Sequence, residues 1–292
     1  MSDVLNDSEK LKILDNIGLI ALDLDRTTLA SHSVLTENTR ACLEEAISRG
    51  FEVVIATGRP LIALPKELNE INDLRYVICS NGAKIVDFRT GEFIYSNCIS
   101  EEASRWCMDY LREVGYPVEV FTDGKAYISK ERYEHFQKVR NTPEGSEYIL
   151  TTRSPVGDIW EFWKRHIDAI ENVNIIITDM DEKQALKEKL EELNPGFTLT
   201  SSMAYNLEIG GETTSKASGL KALSDLTGIP LERTMSFGDS PNDSAMIEES
   251  GFGVAMANAL DEVKEVSDYV TLSNDEDGVA HAIRKLLFRE EV

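Results

Sequence analysis

The sequence predicts an α/β fold, with a doubly wound and mostly parallel sheet that is interrupted by an inserted α+β domain. Short apolar runs alternate with helical patterns in the first and last parts of the chain, which is typical of a parallel sheet covered by helices on both faces. Between about residues 100 and 204, strand patterns with polar turns replace this alternation. We therefore expect a core formed by residues 1–99 and 205–292, and an inserted domain formed by residues 100–204.

Six apolar runs predict the strands of the parallel sheet. The first run, GLIALDLD, precedes the helical pattern TENTRACLEEAISRG, for which Thr36 is the start signal and Gly50 the stop signal. The same order returns near the C-terminus, where Gly228 and Pro230 end a helix before the strand that begins at Thr234. The other runs are FEVVIATGR, RYVICSNG, RTMSFGDS, FGVAMANA and DYVTLS.

The inserted segment mixes strands and helices. The runs YPVEVFTDGKAYIS and NVNIIITDMDE predict strands, and the Asp-Gly pair at residues 123–124 predicts the turn of a hairpin. Helices are predicted at EEASRWCMDYLREVG, IWEFWKRHIDAIE and EKQALKEKLEELN, the last of which ends at the Pro-Gly pair 195–196. We expect the tryptophans of these helices to be core residues rather than a ligand platform.

Composition and charge exclude several kinds of partner. The chain has 52 acidic and 30 basic residues, and its formal net charge of -22 repels nucleic acid and anionic membrane surfaces. The four cysteines form no C-x-x-C pair, which indicates a reducing cytoplasm rather than a disulfide framework or a zinc cluster. We see no signal peptide and no run near the roughly 18 apolar residues of a membrane span. We expect a cytoplasmic monomer or homodimer.

Polar side chains follow several of the predicted strands. Asp23 and Asp25 come at the end of the first strand, and side chains two residues apart on a strand share a face. Three further strands are followed by residues 57–59, by the pair 81–82 and by residues 239–243. Because ligands bind beyond the carboxyl ends of the strands in open α/β sheets, we expect these groups to meet in one crevice.

The carboxylates of this crevice predict a magnesium site and phosphoryl transfer. Crowded carboxylates repel one another unless a hard divalent cation neutralises them, and a small set of oxygen ligands suits Mg²⁺. We therefore expect Asp239 and Asp243 to join Asp23 and Asp25 there. Asp23 can attack phosphorus and form an aspartyl-phosphate, whereas Asp25 can protonate the departing alcohol and then deprotonate water.

Two more residues complete this chemistry, and each element of it has a structural alternative. Thr57 and Lys216 are expected to hold the phosphoryl oxygens and to balance their charge. On the other hand, the D-x-D-x-T pattern is weak by itself, and Thr57 could simply form a turn. Ser240 and Asp243 have the spacing of a helix N-terminal cap, with proline at the first helical position. That capping role is compatible with a metal site, because the cap would hold the carboxylate near it.

Four stretches carry a family resemblance: DLDRT, ATGR, Lys216 and GDSPND. They occur in this order and are supported by SNGA and by FGVAMANALDEVKEVSDYVTLSNDEDGVA, so that the match covers most of residues 17–288. The combination resembles the haloacid dehalogenase superfamily, and within it the Cof-like hydrolases, which have a large inserted cap domain of type IIB. The resemblance implies a core with a Rossmann-like sheet and a cap that covers the active site.

The resemblance further implies a Mg²⁺-dependent phosphatase with Asp23 as the nucleophile and Asp25 as the acid and base. It implies metal ligation by Asp23, the Asp25 carbonyl and Asp239, and by Asp243 through water. The leading substrate is a small phosphorylated metabolite, with a sugar phosphate as the first candidate. A phosphomutase is one alternative and a catalytically silent ligand-binding protein is another, although the intact catalytic residues argue against the second.

Residues for substrate binding follow from the same comparison. We expect Arg59, Asn81, Gly82 and Asn242 to bind the substrate, at the phosphate end and on the cap side. Arg26 stands where similar proteins often carry glycine. We favour an Arg26 with an ordinary backbone conformation that faces solvent or the cap. The alternative is that its guanidinium binds a second anionic group of the substrate.

Overall fold

A computed structural model describes residues 7–139, 147–201 and 205–291. It contains an eight-stranded sheet and a six-stranded sheet. The strands are β1 (Leu19–Leu22), β2 (Glu52–Ala56), β3 (Tyr76–Cys79), β4 (Lys84–Asp87), β5 (Glu92–Ser96), β6 (Val118–Thr122), β7 (Lys125–Ser129), β8 (Arg153–Val156), β9 (Ile170–Ile176), β10 (Phe197–Thr200), β11 (Asn206–Gly211), β12 (Thr234–Gly238), β13 (Phe252–Ala255) and β14 (Tyr269–Val270).

The helices lie before, between and after these strands. They are α1 (Asp7–Leu14), α2 (Glu37–Ser48), α3 (Glu101–Val114), α4 (Lys130–Val139), α5 (Glu147–Thr152), α6 (Ile159–Arg165), α7 (Met180–Leu193), α8 (Lys216–Thr227), α9 (Ser244–Glu249), α10 (Asp261–Glu265) and α11 (Gly278–Ala282). Within the described ranges, none of the helices is both long and apolar enough to cross a bilayer.

The larger sheet confirms the predicted α/β class. Its order is β14-β13-β12-β1-β2-β3-β4-β5, and the strands from β14 to β3 are parallel. Alternate residues of β1 enter different apolar clusters, since Ile20 and Leu22 pack with α2 and α11, whereas Leu19 and Ala21 pack with α8. The sheet is therefore covered by helices on both faces, as predicted. The antiparallel strands β4 and β5 extend it at one edge and were not predicted.

The smaller sheet forms the inserted domain. Its order is β10-β11-β9-β6-β7-β8, and all its pairs are antiparallel except β7 with β8. Because β11 pairs with β10 and β9, this sheet continues to Gly211, beyond the predicted boundary at residue 204, which itself lies outside the described residues. The sequence did not predict β11, whose glycines and acidic residue are uncommon in strands.

Local signals predicted several ends of elements correctly. Thr36 Oγ1 accepts a hydrogen bond from Thr39 N at the start of α2, and Gly228 ends α8 in the left-handed conformation with φ 74°. The pair 123–124 joins β6 to β7 with positive φ at both residues, as expected of a tight hairpin turn. Trp163 is fully buried in the core of the inserted domain.

The two faces of the smaller sheet differ in character. One face packs on α3, α6 and α7 through apolar residues such as Val173, Ile175 and Leu207. The alternate residues of the same strands point to the other face, because strand side chains alternate with a period of two. This polar face carries buried polar groups, including Glu119, Asn172, Asn174, Asn206 and Glu208. It lies against the carboxyl ends of the core strands, where Asn81 Nδ2 donates to Glu208 Oε2.

Candidate active site

Asp23 and Lys216 form the centre of the site. Asp23 directly follows β1, and Lys216 is the first residue of α8, whose N-terminus is capped by the Ser215 hydroxyl. Lys216 Nζ donates to Asp23 Oδ1 over 2.5 Å, and both side chains are buried. The predicted phosphate-binding lysine therefore lies beside the predicted nucleophile.

Asp239 and Asp243 come from the turn after β12. Asp243 Oδ2 accepts from the backbone N–H groups of Asp239 and Ser240, each over 3.0 Å, and a reciprocal capping box confirms the predicted cap. Asp243 Oδ1 accepts from Lys216 Nζ over 2.7 Å. A Cβ on Gly238 would lie only 2.3 Å from Asp243 Cβ, so this turn requires glycine. The cap thus directs Asp243 into the site, which is compatible with the predicted metal role.

The carboxylates of this cluster carry more negative charge than Lys216 balances. The carboxylate oxygens of Asp23, Asp239 and Asp243 lie within 4.8 Å of one another. Burial, together with the charge of Asp243, raises the pKa values of Asp23 and Asp239. Burial alone would lower the pKa of Lys216, but Asp23 and Asp243 raise it overall. Three buried carboxylates around one ammonium fit a hard divalent cation, because oxygen ligands of this kind suit Mg²⁺.

Asp25 lies outside the buried cluster. Its carboxylate binds the guanidinium of Arg59 in a two-point contact, with Arg59 Nε 2.8 Å from Oδ2 and Arg59 Nη2 2.5 Å from Oδ1. Arg59 Nη1 also donates to Ala63 O, and its guanidinium carbon lies 5.1 Å from the centre of the Tyr148 ring. Thr57 is buried, and its hydroxyl oxygen accepts from the backbone N–H of Arg59.

The predicted residues Asn81, Gly82 and Asn242 form a second group beside the cluster. Asn242 Nδ2 donates to Asn81 Oδ1 over 3.1 Å, and Asn81 N donates to Thr57 O. Gly82 has φ 99°, and a Cβ there would lie 2.0 Å from the Ser215 carbonyl oxygen. Gly82 therefore allows the loop to approach the start of α8, whereas the two asparagines present amide groups next to the site.

Arg26 departs from the conformation that we expected. Its φ is +61°, so the backbone adopts the left-handed conformation that glycine would favour, and the expectation of an ordinary conformation is wrong. The turn after Asp25 imposes this conformation. Arg26 Nε lies 3.6 Å from Asp239 Oδ2, and Asn258 Nδ2 donates to the Arg26 carbonyl oxygen. The exposed guanidinium thus lies at the edge of the carboxylate cluster.

This arrangement of strands and carboxylates agrees with one protein family. The profile of the haloacid dehalogenase-like hydrolases matches residues 20–283. The chain belongs to this family. The resemblance that the motifs predicted is therefore confirmed, including its Cof-like branch with a type IIB cap.

Individual relatives of this hydrolase are phosphatases. It is 34% identical over 286 residues to phosphatase YwpJ of Bacillus subtilis, covering 92% of this chain and 99% of that protein. It is 33% identical over 287 residues to the 5-amino-6-(5-phospho-D-ribitylamino)uracil phosphatase YwtE of the same organism, with coverage of 92% and 97%. The solved structure of the subclass IIB sugar phosphatase BT4131 has a TM-score of 0.76 and 25% identity, with coverage of 91% and 98%. These relatives support phosphatase activity.

Several residues near the site of this hydrolase were not predicted from its sequence. Glu171 and Glu208 reach the site from the inserted domain, whereas Thr27, which donates from Oγ1 to Asp239 Oδ1, belongs to the predicted D-x-D-x-T pattern. Arg153, which is paired with Glu119, lies against the Tyr148 ring. For Glu208, the alternation NLEIGG contained a usable signal, since polar residues at every second position indicate a polar face.

Proposed function

We propose that this hydrolase is a Mg²⁺-dependent phosphatase that cleaves a small phosphorylated metabolite, with a sugar phosphate as the first candidate, through an aspartyl-phosphate. One observation carries the proposal. Asp23 lies in a buried carboxylate cluster in contact with Lys216, and Asp25 is held nearby by Arg59. A nucleophile, a positive group for the phosphoryl oxygens and a proton donor are thus near one another, as phosphoryl transfer to a carboxylate requires.

Asp23, Asp239 and Asp243 would hold the metal ion, because their oxygens converge and their mutual repulsion is only partly balanced by Lys216. The carbonyl of Asp25, two residues after Asp23, is a further candidate ligand. When bound, Mg²⁺ supplies positive charge that stabilises the charge of the transferred phosphoryl group.

The side chains then perform the reaction in two steps. Asp23 attacks phosphorus, so that an Asp23–phosphorus bond forms while the phosphorus–oxygen bond of the ester breaks. We assign the attack to Oδ2, because Lys216 holds Oδ1. The electron pair of the broken bond leaves with the alcohol oxygen, which takes the proton of Asp25 in its protonated form and leaves Asp25 as a carboxylate. Asp25 then takes a proton from water, whose oxygen attacks phosphorus and releases Asp23 and inorganic phosphate.

Thr57 and Arg59 support this sequence. Because the Thr57 hydroxyl oxygen accepts from the Arg59 backbone, its hydroxyl proton is free to be donated to a phosphoryl oxygen. The Arg59 fork fixes the orientation of the Asp25 carboxylate. Both residues belong to the loop after β2, so the geometry of one loop positions the proton donor and a phosphate contact.

The substrate proposal rests on the polar face of the inserted sheet. Its buried side chains are amides and carboxylates, a chemistry that suits the hydroxyl groups in the organic part of a sugar or sugar alcohol phosphate. The names of two relatives, a sugar phosphatase and a 5-amino-6-(5-phospho-D-ribitylamino)uracil phosphatase, agree with such a substrate. We also retain two predictions, a monomer or homodimer and a cytoplasmic location, the second of which is supported by the free state of all four cysteines.

Phosphate release provides the test. Purified protein with Mg²⁺ should release phosphate from sugar and sugar alcohol phosphates more rapidly than from nucleotides or pyridoxal phosphate. EDTA should abolish release, Mg²⁺ should restore it, and Ca²⁺ should restore it poorly because the larger ion coordinates more loosely. Asp23→Asn should lower turnover by several orders of magnitude. Asp15→Asn, at an exposed position, is the matched control and should not change turnover.

Three results would contradict this proposal. Full turnover after exhaustive chelation would exclude the metal, and near-normal turnover of Asp23→Asn would exclude the nucleophile. Interconversion of phosphate isomers without release of phosphate would indicate the phosphomutase instead.

A further inference from the structure

A chain of hydrogen bonds links the inserted domain to the turn that carries Asp243. Glu208 on β11 accepts from Asn81 Nδ2 over 2.5 Å. Asn81 Oδ1 in turn accepts from Asn242 Nδ2 over 3.1 Å, and Asn242 directly precedes Asp243. Glu208 and Asn81 are both buried, so water does not compete for these contacts. The chain therefore runs from the inserted sheet through the loop after β3 to the catalytic cluster.

The chemistry of Glu208 determines the direction of this chain. A carboxylate only accepts, and Glu208 also accepts from Asn206 Nδ2 over 2.7 Å through its other oxygen. Asn81 must therefore turn its amide N–H toward Glu208 and its carbonyl oxygen toward Asn242. Because this oxygen is an acceptor, the Asn242 amide turns its N–H group toward it. Asn242 Oδ1 is left as a buried acceptor with no hydrogen-bond partner among the described residues.

The loop that carries Asn81 depends on the inserted domain. Ser80, Asn81 and Gly82 all have positive φ, and two of them are not glycine. Such a conformation is unfavourable for these residues unless their surroundings impose it. Glu171 accepts from Ser80 Oγ over 2.8 Å, and Glu208 accepts from Asn81. Two carboxylates of the inserted domain thus hold the loop in this shape.

We propose that Glu208 is a positioning residue of the active site, which acts through Asn81 to set the orientation of the Asn242 amide. The Asn242 oxygen is thereby offered as an acceptor to a donor that none of the described residues supplies. The inserted domain consequently completes the site only when it is docked on the core. This inference rests on the proposed phosphatase function.

An exchange of the Asn81 amide and the Glu208 carboxylate tests the direction of these hydrogen bonds. Asn81→Asp alone places two carboxylates against each other, and we expect kcat to fall by about tenfold or more. The double variant Asn81→Asp/Glu208→Gln restores the contacts that link Glu208, Asn81 and Asn242, because the new amide donates to the new carboxylate, which still accepts from Asn242. We expect its kcat to return to within about threefold of the wild type. The control pair, Asn69→Asp and Glu212→Gln, changes the same groups at exposed positions and should leave kcat unchanged.

A spectroscopic measurement makes the test independent of turnover. In ¹⁵N-labelled protein, the side-chain amide signals of Asn242 should shift in Asn81→Asp and return in the double variant. Three results would each overturn the inference. The double variant could fail to recover kcat, the double variant could fail to fold, or Asn81→Asp alone could have a normal kcat. If the wild type hydrolyses no phosphate ester, the proposed function fails while the amide signals still test the chain. If the wild type hydrolyses phosphate esters but the double variant does not recover kcat, only the inference about the hydrogen bonds fails.

Discussion

Lys216 Nζ lies 2.5 Å from Asp23 Oδ1 in the buried interior of the site. The same ammonium lies 2.7 Å from Asp243 Oδ1, so that one lysine joins the proposed nucleophile at the end of β1 to the turn after β12. Because a buried charge without a partner is costly, each member of this group depends on the others. The geometry that we propose for catalysis is thus also part of what stabilises the core.

Removal of the lysine should therefore destabilise the fold. Lys216→Met leaves Asp23 and Asp243 without their cation, and we expect the free energy of unfolding at about pH 8 to fall by about 3–5 kcal/mol. The loss should be smaller at low pH, where protonation neutralises the carboxylates. Denaturant unfolding measures both values. Lys221→Met, at an exposed position of the same helix, is the control, and equal unfolding free energies for the two variants would contradict the prediction.

Replacement of Arg59 should affect turnover. Arg59→Lys keeps the charge but loses the two-point contact with Asp25, so the carboxylate is less well oriented. We expect kcat to fall by about tenfold to a hundredfold, the range that a hydrogen bond to a charged group contributes. Arg75→Lys changes a half-exposed arginine that pairs with Asp87 and should have little effect. Equal kcat values for the wild type and Arg59→Lys would show that Asp25 needs no fixed orientation.

The positive φ of Arg26 predicts an unusual order of stabilities. Because glycine adopts φ +61° without strain and alanine does not, Arg26→Gly should be more stable than Arg26→Ala by about 1 kcal/mol. The order should reverse at Lys221 in the interior of α8, where glycine costs about 1 kcal/mol relative to alanine. Thermal or denaturant unfolding of the four variants measures both differences. Alanine equal to glycine at position 26 would show that the conformation is not maintained in solution.

The buried carboxylate of Glu171 predicts a pH dependence of stability. Burial raises its pKa above the ordinary value of 4.5, and the hydrogen bonds from Gly124 N and Ser80 Oγ only partly offset this. Nearby Lys84 lowers the pKa and Asp123 raises it. Since the folded state binds the proton more tightly than the unfolded state, the stabilising contribution of the proton is lost as pH rises above the ordinary value.

Glu171→Gln should therefore gain stability relative to the wild type between about pH 4 and about pH 8, because the amide has no proton to lose. The difference in unfolding free energy, measured at several pH values, should grow with pH and then become constant. Glu212→Gln, at an exposed position, should show no such trend. A constant difference for Glu171→Gln would mean that the carboxyl titrates normally in the folded protein.

The sequence by itself determined the core sheet and the main members of the site. Strand β1 is a short apolar run because its residues are buried on both faces, and caps such as Thr36 and Gly228 act within a few residues. Asp23 and Asp239 could be placed together because parallel strands bring their carboxyl ends to one edge of the sheet. These features depend on local chemistry and on a general rule of topology, so both were predictable.

Only the tertiary structure decided which of these groups touch. The Asp25 side chain lies outside the carboxylate cluster, where it binds Arg59. Strand β11 belongs to the inserted sheet although it lies beyond the expected boundary. Glu208 meets Asn81 although 127 positions separate them along the chain. The period-two alternation of β11 indicates that Glu208 belongs to a polar face, but it does not indicate what that face covers. That depends on how two separately formed sheets dock, and such packing is set by many weak contacts between distant residues, which leave no local pattern in the sequence.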